Sequence, residues 1–166
     1  MVANELEKAC VQYLTLSLVH AVNAPQPRDQ GPPVVVEVPN IGQVRIYKGE
    51  SNQEIVLPAV IAACNTTEQD NETGNSMCQL VVGVRVQVDP EVKHLKPLED
   101  LATLSTLVFN AMFAADLKDR LNQFENPDFT CIAAVTRSPV KNEVDRNGTH
   151  FLNCLLYCAG RNLLYT

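Results

Sequence analysis

Leu80-Val81-Val82-Gly83-Val84-Arg85-Val86-Gln87-Val88 is the stretch on which the fold turns. Leu80, Val82, Val84, Val86 and Val88 fall on one face of an extended chain. Val81, Gly83, Arg85 and Gln87 fall on the other. That period of two marks a strand with one face in a core and the other against water or a partner.

Upstream, the same β-branched character returns in shorter pieces. Val34 to Val38 and Val44 to Tyr47 read as two strands around a turn at Pro39-Asn40-Ile41-Gly42. Ile55 to Cys64 is a longer apolar run. Its Pro58 cannot donate to a ladder, so that position is an edge, a bulge or a strand start. Residues 65–77 are polar and acidic, with Glu68, Asp70 and Glu72 and neither Lys nor Arg. They read as a long loop, and long loops are commonly functional or mobile. Further back, four prolines between Ala24 and Pro33 exclude both helix and central strand. Before them, Leu6, Cys10, Tyr13, Leu14 and Ser17 recur at helical spacing, with Leu16, Leu18 and Val19 widening the stripe. Asn4 and Glu7 sit three apart in a capping-box pattern, so a helix is expected over 4–22.

Downstream, Pro97, Glu99 and Asp100 suit the start of a second helix, expected to run to about Leu121. Its fifteen residues from Leu101 to Ala115 carry no charge. Leu101, Leu104, Val108, Met112 and Ala115 form an inner stripe. Leu107, Phe109, Ala111 and Phe113 extend the apolar surface well past it. The stretch is short of the roughly twenty residues a membrane span needs. A helix apolar this far round is normally buried on more than one side, and a neighbouring subunit can supply the second side. Phe129 to Arg137 and His150 to Cys158 then read as a closing hairpin around the charged segment 138–149, with Gly160 ending the last strand. The expected fold is one α+β domain over residues 1–166. It has a mainly antiparallel sheet with a long hairpin, packed by an N-terminal helix and one long helix.

Composition narrows the function. The chain has 166 residues, 46% of them apolar, and a net charge of -6. That is enough chain for a real core, and too acidic for a protein built to grip nucleic acid. The N-terminus places Glu5 and Glu7 where an export signal would carry Lys or Arg. The six cysteines are therefore expected to be reduced and to act as small hydrophobes.

A search for chemistry returns no catalytic constellation. No glycine-rich phosphate loop, nucleophile elbow, Cys-x-x-Cys or His-Glu-x-x-His occurs. His20, His94 and His150 have no carboxylate partner that spacing can justify. His150, Cys154 and Cys158 would line up for zinc on a helix, but on a strand residues four apart lie about 13 Å apart. No metal, cofactor or enzymatic activity is expected. Arg45, Arg85 and Arg137 each fall inside an expected strand. They belong either to a solvated sheet face or to inter-subunit pairs with carboxylates.

The order of segments resembles the tail terminator (tail completion) proteins of tailed bacteriophages. The resemblance rests on the short first helix, the Gly31-Pro32-Pro33 lead-in to the first strand, Val44-Arg45-Ile46-Tyr47, and Leu57-Pro58-Ala59-Val60. It continues through the acidic segment ending Thr73-Gly74-Asn75, the alternating strand, the long helix and the hairpin. Six cysteines and an uncharged second helix depart from the pattern. The resemblance implies a non-enzymatic virion protein, assembled in the host cytoplasm. It implies a six-membered ring on the end of the tail tube, touching tail-tube subunits on one side and the head-to-tail connector on the other. Genome DNA would pass through the lumen without specific binding, and no membrane is involved. Leu107, Phe109, Phe113, Arg85 and Arg137 would then lie at subunit interfaces. Glu68, Asp70, Glu72, Lys141, Glu143, Asp145 and Arg146 would lie on loops facing tube or connector. A neck or head-completion adaptor and a minor tail-tube protein are the alternative placements, and a small cytosolic Cys–His enzyme is the remaining one.

Overall fold

The computed structural model describes residues 2–19, 33–49, 55–69, 72, 75–87, 96–124, 130–136, 143–144 and 149–161. In chain order the elements are α1 (Val2–Val19), β1 (Val34–Val38), β2 (Gly42–Lys48), β3 (Ala59–Gln69) and β4 (Asn75–Gln87). Then come α2 (Lys96–Met112), α3 (Leu117–Leu121), β5 (Thr130–Thr136), β6 (Glu143–Val144) and β7 (Thr149–Arg161). The strands form one sheet in the order β1-β2-β3-β4-β7-β5, with the two-residue β6 beside β7. The fold is α+β and the sheet mainly antiparallel.

The alternation in β4 organises the core. Cys78, Leu80, Val82, Val84 and Val86 are all buried beneath the helices, together with Val44 and Ile46 of β2 and Val60, Ala62 and Cys64 of β3. α1 lies over β1, β2 and β3, and α2 lies beside it over β4 and β7. The turn between β1 and β2 follows its sequence. Pro39 takes the first central position, Asn40 adopts φ 67°, and Ile41 N–H donates to the Val38 carbonyl at 3.1 Å.

Several expectations are corrected. β2 and β3 are parallel, with Arg45 opposite Ala59 and Lys48 opposite Ala62, so this pair is not a hairpin. Pro58 stands immediately before β3 and needs no ladder donor there; its carbonyl accepts from Arg45 N–H at 3.3 Å. Ile55 and Leu57, on the connection, pack against Tyr47, Ala59 and Ile61 on the sheet face away from the helices. Thus the end of the connection, from Ile55 to Leu57, covers part of that face.

The acidic stretch 65–77 is mostly strand. β3 continues to Gln69 and β4 begins at Asn75, with Asn65 opposite Gln79 and Gln69 opposite Ser76. β4 pairs with β7 along its whole length, and this long template extends β3 although its tip is polar. A register shift between Thr66 and Glu68 marks a bulge there. Likewise β7 passes through Gly160 to Arg161 instead of stopping.

The second helix is two helices. α2 ends at Met112, and the turn through Phe113 to Asp116 leads into α3. Along one straight helix of about 100° per residue, Leu117 and Leu121 would point roughly opposite the stripe of Leu101, Leu104, Val108 and Met112. Both are buried, and the break is what turns them inward. Ala115, expected on the inner stripe, lies in this turn and is exposed.

Burial is also distributed differently between the helices. α2 is buried on one side only; Ala102, Thr103, Thr106, Leu107, Asn110 and Phe113 are exposed. α1 is the helix enclosed all round, since none of its residues from Asn4 to Val19 is exposed. The Asn4–Glu7 capping box does not form, because both residues lie inside α1 and point to the sheet.

Candidate functional site

The outer face of α2 and the groove beside it are the most distinctive surface among the described residues. No residue exposed on α2 between Ala102 and Phe113 is charged. Leu107 is 37% exposed and Phe113 38%. By helical spacing these two lie on opposite flanks, about 120° apart. Leu107 lines a groove between α1 and the α2–α3 turn, whereas Phe113 stacks its ring on Phe109 at 6.0 Å between centroids. Phe109 itself is turned in and buried. Of the three apolar residues expected at an interface, two are therefore open and one belongs to the core.

The groove has a volume of about 770 Å³. Leu16, Leu107, Ala111 and Phe124 give it an apolar part, and Ser17, Asn110, Gln123, Asp116 and Arg120 an equally large polar part. Arg120 Nε donates to Asp116 Oδ2 at 3.1 Å, one helical turn apart and in contact with solvent. The Tyr13 hydroxyl donates to the Ala111 carbonyl at 2.5 Å, tying α1 to the last turn of α2. Burial pushes the Tyr13 phenol above its ordinary value, which holds the proton on that donor. The Tyr13 oxygen is thus a structural tie. What the arrangement offers is a surface of mixed polar and apolar character, uncharged along α2 from Ala102 onward, with one ion pair at its edge.

A second polar constellation sits where β2 ends. Gly49 N–H donates to the Ala62 carbonyl at 2.7 Å, the last bond β2 can give to β3. Two residues on, Cys64 N–H points the same way, and the Glu7 carboxylate of α1 accepts it at 2.7 Å. Lys48 Nζ lies 3.8 Å from the other Glu7 oxygen and donates to Asn4 Oδ1. Gly49 has φ 69°, and a side chain there would meet Glu7 Oε2 at 3.2 Å. Burial raises the Glu7 pKa above its ordinary value, with the Cys64 hydrogen bond and the Lys48 charge opposing. The carboxylate thus stands in for the missing strand. The sequence signals nothing of this, because Lys48 and Cys64 are far from Glu7 along the chain.

The other expected residues scatter. Arg45, Ala59 and Arg85 form one row across β2, β3 and β4 on the face away from the helices, and both arginines are partly buried. Glu68 lies in β3, Glu72 is an exposed turn residue, and Glu143 lies in β6 opposite Phe151. Arg137, Asp70, Lys141, Asp145 and Arg146 fall outside the described residues, as do His20 and His94. His150, Cys154 and Cys158 lie on a strand, β7. Among the described residues no helix is long and apolar enough to cross a membrane.

No protein-family model matches the chain, and no curated protein sequence matches it.

Proposed function

We propose that this chain is a structural virion protein of the tail-terminator type: a subunit of a ring that ends tail-tube growth and joins the tail to the head connector. The observation that carries the reading is the outer face of α2 from Ala102 onward, which exposes no charge, with Leu107 and Phe113 open on its two flanks. A subunit that stays alone in water gains nothing from two such side chains on a stretch of helix whose exposed residues, from Ala102 onward, carry no charge. A subunit that meets like copies or a tube end buries them. The acidic balance of the chain suits a conduit, since a net charge of -6 does not retain DNA. The α+β fold with a mainly antiparallel sheet supports the reading, whereas the expected acidic loop is mostly strand and the expected long helix is two.

The test is tube growth in vitro. The wild-type chain, added to polymerising tail-tube subunits, is expected to stop elongation and to be found at tube ends. Leu107→Glu with Phe113→Glu is expected to keep its circular dichroism and its unfolding midpoint, and to lose capping. Capping that survives the double substitution would remove the α2 face from the account. A wild-type chain seen along the tube or at the capsid portal, and not at tube ends, would move it to a tube or neck component.

A further inference from the structure

Among the described residues the sheet has two open edges. Among the described residues, no strand and no backbone hydrogen bond occupies the outer side of β1 or of β5. Such rows of main-chain donors and acceptors are templates for another strand, and lone proteins usually blunt them with charge, proline or bulges. β1 reads VVVEV and β5 reads TCIAAVT, so Glu37 is the single charge on the two edges. A bulge lies between Cys131 and Ala133, which leaves Ala133 to Thr136 in regular pairing with β7.

Two geometric facts select the partner. First, one parallel and four antiparallel pairings separate β1 from β5, so the two edge strands run in the same direction. Rotation about an axis keeps that direction, so a ring of copies would bring β5 of one copy beside β1 of the next in parallel, as β2 already pairs with β3. Second, the sheet is sheared. The row through Val35 passes Arg45, Ala59 and Arg85 and reaches β7 at Phe151. The row through Ala133 meets β7 at Ala159, eight residues away. A next copy placed with its Val35 beside Ala133 would set its β1 six strand spacings of about 4.8 Å, about 29 Å, from the first β1, and eight residues rise about 26 Å, which gives a strand tilt of about 42°. Closed barrels need a tilt of about 35–45°. A register that sets Val35 of the next copy beside Ala133 therefore gives the tilt of a closed sheet. β6, with two residues, is too short to hold β1 in the unsheared register.

We propose that copies of this chain close into a ring by strand addition, β5 of one copy lying parallel to β1 of the next, so that one sheet runs unbroken around the assembly. This rests on the ring-forming reading above and names the contact that closes it. Such a contact is heterologous, which is what a ring needs and a two-fold dimer does not.

Val35 offers the test, because it is 49% exposed and outside the core. The full chain carrying the photo-crosslinker p-benzoylphenylalanine at position 35 is mixed with isotope-labelled wild-type chain, irradiated and mapped by mass spectrometry. Circular dichroism confirms folding. The expected result is a ladder of cross-linked oligomers with the links between position 35 of one copy and residues 130–136 of another. Links from position 35 to residues 34–38 of another copy would indicate a two-fold edge dimer and overturn the proposal. An oligomer intact by native mass spectrometry, with no intermolecular link to 130–136, would overturn the strand contact while leaving the ring. A chain that stays monomeric, alone and with tube subunits, would overturn both.

Discussion

Replacing Glu7 by Ala tests how the first helix is fastened to the sheet. The carboxylate accepts the Cys64 backbone N–H at 2.7 Å and lies 3.8 Å from Lys48 Nζ. The Glu7 and Lys48 side chains are each 12% exposed, so solvent screens little of this. Removing the acceptor leaves a buried amide without its partner, a cost of about 1–3 kcal/mol. Loss of the Lys48 contact adds about 1 kcal/mol more. The expected destabilisation of Glu7→Ala is therefore about 2–4 kcal/mol, read as the shift in urea midpoint at constant slope by circular dichroism. Glu7→Gln keeps an acceptor for Cys64 and is expected to cost about half as much at pH 7. The pH dependence separates charge from hydrogen bonding. Burial raises the Glu7 pKa in the folded state above its ordinary value of 4.5, so the folded chain binds this proton more tightly than the unfolded chain. The stability that proton confers is fully present below about pH 4.5 and is lost as pH rises through the folded pKa. Glu7→Gln, which cannot titrate, is expected to compare worst with wild type at pH 4 and better at pH 7. A Glu7→Ala variant within 0.5 kcal/mol of wild type, or a Gln-to-wild-type difference that grows with pH, would refute this account of the helix anchor.

Tyr13→Phe removes the donor to the Ala111 carbonyl and is expected to cost about 1 kcal/mol in urea unfolding. It should leave any oligomer intact, since the hydroxyl is engaged within the subunit. Leu121→Ala is expected to cost about 2–5 kcal/mol, because the α2–α3 break buries that side chain fully. On an unbroken helix the same residue would face solvent, and the change would cost less than about 0.5 kcal/mol.

The legible parts of this fold are those where burial and periodicity coincide. β4 declares itself because Leu80, Val82, Val84 and Val86 are buried and their alternates carry Gly83 and Arg85. The stripe of Leu101, Leu104, Val108 and Met112 is equally plain. The end of α2 is not, since neither glycine nor proline marks it and the apolar pattern runs on. Only the opposed directions of Leu117 and the stripe demand a break. The strand character of residues 65–69 is hidden because pairing with β4 fixes it, with polar side chains that give no alternation to read. The parallel step from β2 to β3 is hidden for a different reason: residues 49–58 carry no helical pattern of the kind that usually marks a parallel crossover.

At the candidate site, the apolar excess of α2 was readable, and its division was not. Leu107, Phe109 and Phe113 look alike in sequence, yet Phe109 turns into the core while the other two open onto opposite flanks. Helical phase separates them only once the buried stripe is placed against the sheet. The Glu7 anchor left no trace in the sequence beyond the Asn4–Glu7 pair, whose spacing suits a helix cap as well as it suits two residues aimed at the end of β2.

The central claim is that this chain is a ring-building subunit, and native mass spectrometry of the wild-type chain with and without tube subunits tests it most directly. The expected result is one closed species at six times the 18.3 kDa mass of the single chain. A single species at the mass of one chain under every condition, tube ends included, would contradict it.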